Sequence, residues 1–238
     1  MFSYYGSKSK IVDYYPPPKY GQIIEPFAGS ARYSLKYWDR NVLLVDKYSV
    51  IVDIWKWLQQ CSEKDVQKLP RVTHKDMLND IEFDCIEARN LMGFLIKSGS
   101  STPANKPSPR RTTERPNLIN YAINDISSNL KKIRHWNIIL GDYLSIQNIQ
   151  ATWFIDPPYQ FGGEHYKESS KNINFKDLSE WCKNREGQVI VCENTKANWM
   201  DFKAIKQIEG SANTKTTEAI WSNLPTNYDN EQLKLFQP

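Results

Sequence analysis

Short apolar runs alternate with longer stretches in which apolar positions recur every three or four residues, and this alternation organises the chain. The short runs predict strands at 22–26, 42–46, 137–140, 152–155, 188–192, 204–208 and 217–221. Helical spacing covers 31–38, 49–60, 75–96, 118–133 and 175–184. In the second of these, Ile51, Ile54, Trp55 and Leu58 fall on one face, as they must in a helix that packs on a core. Strands alternating with helices predict an α/β fold, with a mostly parallel sheet, helices on both faces and ligands at the carboxyl ends of the strands.

Several strand ends carry candidate chemistry. The run Trp153-Phe154-Ile155 leads into Asp156-Pro157-Pro158-Tyr159. Proline locks its own φ and pushes the preceding residue out of the helical region, so the carboxylate and the following carbonyls share one rigid geometry. Such an arm accepts two hydrogen bonds from an exocyclic amino group while the phenol stacks on the ring that bears it. A plain strand followed by a Pro-Pro turn is the bland alternative. Upstream, Ile23-Ile24 runs into Glu25-Pro26-Phe27-Ala28-Gly29-Ser30-Ala31. Gly29 can take φ > 0 without steric cost and lets backbone approach a ligand closely. Ala31 is expected to be comfortable because the helix has begun by that point.

Asp46 ends the next strand, near the place, about 20 positions beyond a glycine turn, where a carboxylate accepts ribose hydroxyls in doubly wound folds. It also suits the start of the helix that follows. Gly141-Asp142-Tyr143 follows the run at 137–140 and is, by itself, a common turn. The N-terminus reads Phe2-Ser3-Tyr4-Tyr5-Gly6-Ser7-Lys8, without phosphate-loop spacing, and Lys8 taken alone could be a solvated surface lysine.

In this order the segments resemble the amino-group DNA methyltransferases, in particular the N6-adenine enzymes of the Dam type and the wider D12 class. Their catalytic motif is Asp/Asn/Ser-Pro-Pro-Tyr/Phe/Trp, and their cofactor motif Glu/Asp-Pro-Phe-x-Gly-x-Gly, from which Ala31 departs. The resemblance covers residues 1–60 and 135–238. It implies a Rossmann-like class I methyltransferase sheet of about seven strands, mostly parallel with an antiparallel last hairpin, and a helical insert. It implies S-adenosyl-L-methionine as cofactor, bound by Tyr5, Gly6, Lys8, Glu25, Pro26, Phe27, Gly29, Asp46, Asp142 and Asp156. Within that set the N-terminal segment would close over the methionine end, and Asp142 would take the amino group of the adenine. The catalytic residues would be Asp156, Pro157, Pro158 and Tyr159.

The domain division that follows is 1–60 plus 135–238 as the catalytic domain and 61–134 as a helical insert assigned to target recognition, with a structural cap as the alternative. Within the insert, 97–115 is rich in Ser, Pro and Thr and carries Lys97, Lys106, Arg110, Arg111 and Arg115. Its prolines and low apolar content argue against a packed strand or helix. It reads either as a disordered surface loop or as a flexible basic loop along phosphates, giving affinity more than sequence choice. The glycine-rich segment 160–166 could fold over a flipped base with Gly162-Gly163 as hinge, which adds Tyr166 to the expected DNA contacts.

Composition narrows the partners. A chain of 238 residues buries about 70–75% of its unfolded surface, enough for one α/β domain with an insert. Net charge of +4 permits nucleic-acid binding without establishing it. No apolar run is long enough to span a bilayer, and the start has no signal-peptide core. The four cysteines lack metal-ligand spacing and only three histidines are present, so no metal is expected and the thiols read as reduced, in a cytoplasmic setting. Double-stranded DNA is the expected partner, for a monomer or weak dimer.

The chemistry implied is methyl transfer to the exocyclic N6 of a flipped adenine. Asp156 and the Pro157 carbonyl would accept the two N–H bonds, Tyr159 would stack on the base, and orientation would supply much of the acceleration. Cytosine N4 is the neighbouring acceptor, and RNA or protein glutamine are others. A non-catalytic nucleic-acid-binding protein of the same fold is the reading from a different class, and a nucleotide-binding oxidoreductase is weakened by the absence of Gly-x-Gly-x-x-Gly.

Overall fold

The computed structural model describes residues 1–2, 4–115, 117–209 and 215–228. Seven strands build one sheet: β1 (Gln22–Glu25), β2 (Asn41–Asp46), β3 (Asn137–Leu140), β4 (Ala151–Ile155), β5 (Gly187–Asn194), β6 (Lys203–Glu209) and β7 (Lys215–Ser222). Their order is β3-β2-β1-β4-β5-β7-β6. The first five run parallel, and β7 lies antiparallel between β5 and β6. This is the Rossmann-like methyltransferase sheet that the sequence predicts, closing antiparallel hairpin included. The order reverses between β1 and β4, which opens a crevice at their carboxyl ends.

Burial explains why β4 is central. Each of its five residues is buried, and the two-residue period sends Phe154 to one face and Trp153 and Ile155 to the other. On the Trp153 face lies α6 (Phe175–Lys183), through Leu178 and Cys182. On the Phe154 face lie α1 (Arg32–Lys36), α2 (Ser49–Gln60) and the helices of the insert.

The insert shares this core and does not form one of its own. Its helices are α3 (Glu63–Gln67), α4 (Ile86–Ile96) and α5 (Leu118–Asn129). Phe94 of α4 and Ile123 and Ile126 of α5 are buried in one continuous cluster with Ile23 and Leu44 of the sheet. Phe2 bridges the two parts, with ring centroids 5.2 Å from Trp55 and 5.8 Å from Phe94.

Four local expectations change. The helix expected at 75–96 begins only at Ile86. Before it, Asp76 accepts from the Thr73 amide at 2.6 Å, and Asn105 holds the amides of Leu78 and Asn79. Side chains of this kind offer the backbone local partners that compete with helix formation. The pattern at 118–133 ends its α-helix at Asn129, and a 3-10 turn covers Leu130–Ile133. The short helix α3 was not expected from periodicity, yet Ser62 and Asp65 form a reciprocal capping box at its start.

The fourth change concerns 97–115, which is fastened down and includes a π-helical turn at Arg110–Glu114. Pro103 lies so close on Gly93 that a Cβ there would come within 2.7 Å. The Ser108 amide donates to the Ile96 carbonyl, and Pro107 is buried. Low apolar content did not prevent packing because the neighbouring helix supplies the apolar surface. Among the described residues, no helix is long and apolar enough to cross a membrane.

Candidate active site

A cavity of about 380 Å³ opens at the carboxyl ends of β1 to β4. Each strand delivers a residue to it: Glu25 to Gly29 from β1, Asp46 from β2, Asp142 from β3, and Asp156 with Pro158 from β4. The N-terminal segment Tyr4–Lys8 and Tyr166 complete the wall. Residues scattered over most of the sequence therefore converge on one crevice.

The turn after β1 is built to approach a ligand. Gly29 has φ +44°, and its carbonyl accepts the Trp55 indole N–H at 2.9 Å. Ala31 also has φ +44° and sits at the N-cap of α1, still in the left-handed region. The expectation that the helix has already begun there is corrected: the alanine occupies a conformation that costs L-residues about 1–2 kcal/mol. Ala31 gives α1 no side-chain cap. Glu25 supplies one from the strand, accepting the Ser34 amide at 2.7 Å. Its burial pushes the carboxyl up to about 8. Glu25 thus borders the cavity, but its clearest bond holds the helix start.

Asp46 ties the turn after β1 to the start of α2. Its Oδ2 accepts the Gly29 amide and its Oδ1 the Tyr48 amide at the start of α2, each at 2.9 Å. Burial carries it up to about 6 in spite of these bonds. Each oxygen retains a lone pair beyond the one used. Asp142 accepts the Leu144 amide at 3.0 Å and meets Lys47 at 3.2 Å on the rim. Phe27 packs its ring against Tyr143, centroids 5.4 Å apart, so the aromatic after Asp142 is part of the cavity wall's support.

Around Asp156 lies a buried charge cluster. Lys8 Nζ stands 2.8 Å from Asp156 Oδ1 and 3.8 Å from Glu218 Oε1. Lys8 is 6% exposed, which removes the reading of a solvated surface lysine. Despite this proximity, Asp156 Oδ1 is buried without a hydrogen bond of good geometry. Burial raises the Asp156 carboxyl to about 6; Lys8 pulls it down and Glu218 pushes it up. Tyr159 donates its phenol to Glu218, and Lys8 Nζ sits 4.4 Å above its ring. Pro157 is buried, and Pro158 lines the cavity.

The loop after the Pro157-Pro158 arm packs onto the cavity. Tyr166 turns inward and meets Tyr4 and Tyr5 edge-on, its ring centroid 5.8 and 4.9 Å away. Its hydroxyl occupies the space a Cβ on Gly6 would need. The residue is therefore part of the cavity wall and not of an outer surface. Gly163 is packed so tightly that a Cβ would come 2.7 Å from the Pro158 carbonyl carbon. Close packing, rather than a hinge, requires glycine there. Of the basic residues expected to contact DNA, Lys97, Lys106, Arg110 and Arg115 are exposed and Arg111 is half-buried. None of these five lines the cavity.

Three residues of this site escaped sequence reasoning. Glu218 and Tyr15 meet at 2.6 Å behind Tyr159. Glu193, fully buried at the end of β5, accepts the Gln160 amide at 2.6 Å and so fixes the exit of the arm. The signal available was a carboxylate set in an otherwise apolar strand, where it must find partners.

No family model matches the chain, and no curated protein matches it in sequence. Among solved structures, yhhF of Escherichia coli, a provisionally named methyltransferase, is similar with a TM-score of 0.34 and 7% identity. The match covers 90% of this chain and 78% of that one. A likeness this distant carries no argument about function.

Proposed function

We propose that this protein transfers a methyl group to an exocyclic amino nitrogen, the N6 of an adenine flipped out of double-stranded DNA, with Asp156 as the acceptor of the amine. The reading is carried by the Asp156 Oδ1 atom, buried at the cavity 2.8 Å from Lys8 Nζ but without a hydrogen bond of good geometry, so that it retains room for a well-directed donor. A buried acceptor of this kind is costly unless a donor arrives, and an amino group is such a donor.

The cavity fits S-adenosylmethionine in size and charge. Its volume lies in the range of about 300–1,000 Å³ usual for small-molecule sites. Six carboxyl groups line it against three basic side chains, Lys8, Arg32 and Lys47, an acidic surplus suited to a ligand with a sulfonium cation. The free lone pairs of Asp46 and Asp142 are open to ribose hydroxyls and a purine amino group. When bound, the cofactor supplies an electrophilic methyl group.

The chain's own residues hold and orient the amine. Asp156 accepts one N–H and the Pro157 carbonyl the other, which draws the nitrogen toward tetrahedral geometry and frees its lone pair. Orientation of this kind converts a bimolecular step into an effectively intramolecular one. The exposed Lys97, Lys106, Arg110 and Arg115 lie outside the cavity and suit phosphate contacts, which position a duplex without reading it.

Substituting Asp156→Ala should abolish transfer from labelled cofactor to DNA while leaving cofactor binding, measured by calorimetry, in place. Wild-type turnover in that variant refutes the assignment. Digestion of methylated DNA to deoxynucleosides and mass spectrometry should find N6-methyl-2′-deoxyadenosine and no N4-methyl-2′-deoxycytidine.

A further inference from the structure

Glu218 belongs to none of the strand ends that form the cavity wall, yet it contacts Lys8, Tyr15 and Tyr159 of the Asp156 cluster. It lies on β7, opposite Asn194 of β5, and is 5% exposed. Its Oε1 accepts the phenols of Tyr15 and Tyr159 and stands 3.8 Å from Lys8 Nζ. Lys8 in turn stands 2.8 Å from Asp156. Two carboxylates thus share one buried ammonium, and one of them also anchors the aromatic ring of the proline arm.

We infer that Glu218 is a positioning residue for the proposed transfer: by holding Lys8 and Tyr159 together, it keeps Lys8 from committing wholly to Asp156 and leaves that carboxylate ready for the substrate amine. The inference rests on the reading of Asp156 given above. Were Glu218 absent, Lys8 could turn wholly onto Asp156 and occupy the lone pair that the amine needs. Two phenols would also lose their buried acceptor, and Tyr159 its fixed orientation. A carboxylate with this bonding is more than a structural anchor, because its charge acts on Asp156 as well.

The groups that face Asp156 are Lys8 from the N-terminal segment, Tyr15, Glu25 from β1, Tyr159 and Tyr166 from the following loop, Cys192 from β5 and Glu218 from β7. The two phenols facing Glu218 are pushed far above their ordinary range, chiefly by burial, and remain donors. Lys8 is the cation among them and is held protonated. Glu218 is the neighbouring charge that opposes ionisation of Asp156 most strongly.

The test is Glu218→Gln in the full-length protein, followed by carboxyl-carbon NMR of Asp156 across a pH titration without cofactor. Glutamine keeps an acceptor for the phenols and removes the charge. The Asp156 midpoint should fall below its wild-type value, and the acid limb of the pH–rate profile should move down with it. At the plateau, kcat should drop about tenfold or more while KM for DNA stays within about twofold, since about 1.4 kcal/mol of lost positioning corresponds to one decade. A purely structural residue would leave the midpoint where it was, and an unmoved midpoint overturns the inference. If that variant does not fold, Glu218→Asp takes its place: it keeps the charge but shortens the reach to the two phenols by one methylene, so kcat should fall while KM for DNA stays within about twofold, and a wild-type kcat overturns the inference. A wild-type protein that methylates no DNA would remove the functional reading, whereas the NMR measurement still reports on Glu218.

Discussion

Replacing Asp156 by asparagine should alter stability in a pH-dependent way whose size follows from the site. Burial raises the Asp156 carboxyl from its ordinary 3.8 to about 6, against the pull of Lys8. The folded protein therefore retains this proton at pH values where the unfolded chain has released it. A carboxyl raised in this manner contributes stability that is complete below the unfolded value and is lost as pH rises through the folded one. About two pH units, at about 1.36 kcal/mol each, amount to roughly 3 kcal/mol. That stability disappears between pH 3.8 and about 6 and does not change further above it. Asparagine has nearly the same shape and does not titrate. The unfolding free energy of the variant minus that of the wild type should therefore rise by about 3 kcal/mol over this window. Glu25 and Asp46 are also raised, to about 8 and about 6, but they are present in both proteins and largely cancel. Urea unfolding followed by tryptophan fluorescence, at steps from about pH 4 to about pH 7, gives the difference directly. A flat difference, or one that declines with pH, would mean that the Lys8 pair outweighs burial and would refute the reasoning.

Gly163→Ala should cost about 1–3 kcal/mol in thermal unfolding, because its Cβ meets Pro158 at 2.7 Å and Ser170 at 3.0 Å; an unchanged melting temperature contradicts the tight contact. Ala31→Val should destabilise by about 1–2 kcal/mol or more, since a β-branched residue must then adopt φ +44°. Ala31→Gly should be near neutral, relief of strain being offset by chain entropy. Lys106→Ala and Arg110→Ala should each reduce the slope of log DNA affinity against log salt by about 0.9; slopes equal to wild type would take these side chains off the phosphate path.

Much of the fold could be read from the pattern of apolar runs. The strands at 152–155 and 188–192 stand where apolar runs placed them, because a strand buried on both faces must be apolar along its length; the run at 137–140 also forms a strand, at the sheet edge, where only Ile138 is buried. The helix α2 was equally legible, since Ile51, Ile54, Trp55 and Leu58 mark a single buried stripe. The limits of this reading lie where distant groups decide the backbone. Residues 75–85 looked helical, but Asn105 draws the amides of Leu78 and Asn79 away from helical partners. Ala31 looked helical too, and only the cap from Glu25 shows how the helix begins one residue later.

The sequence by itself determined the order of the strands along the chain, the carboxylates at their ends and the rigid arm after β4. These depend on local properties: apolar runs, glycine turns and the fixed φ of proline. Only the tertiary structure decided what those carboxylates meet. Lys8, Tyr15, Asp156 and Glu218 are separated by up to 210 positions, and no periodicity links them. They come together because the parallel pairing of β1 with β4 and the antiparallel insertion of β7 bring the N-terminal segment, the arm after β4 and β7 to one crevice. There, burial and mutual charge, rather than residue type, set which oxygen remains free to accept a hydrogen bond.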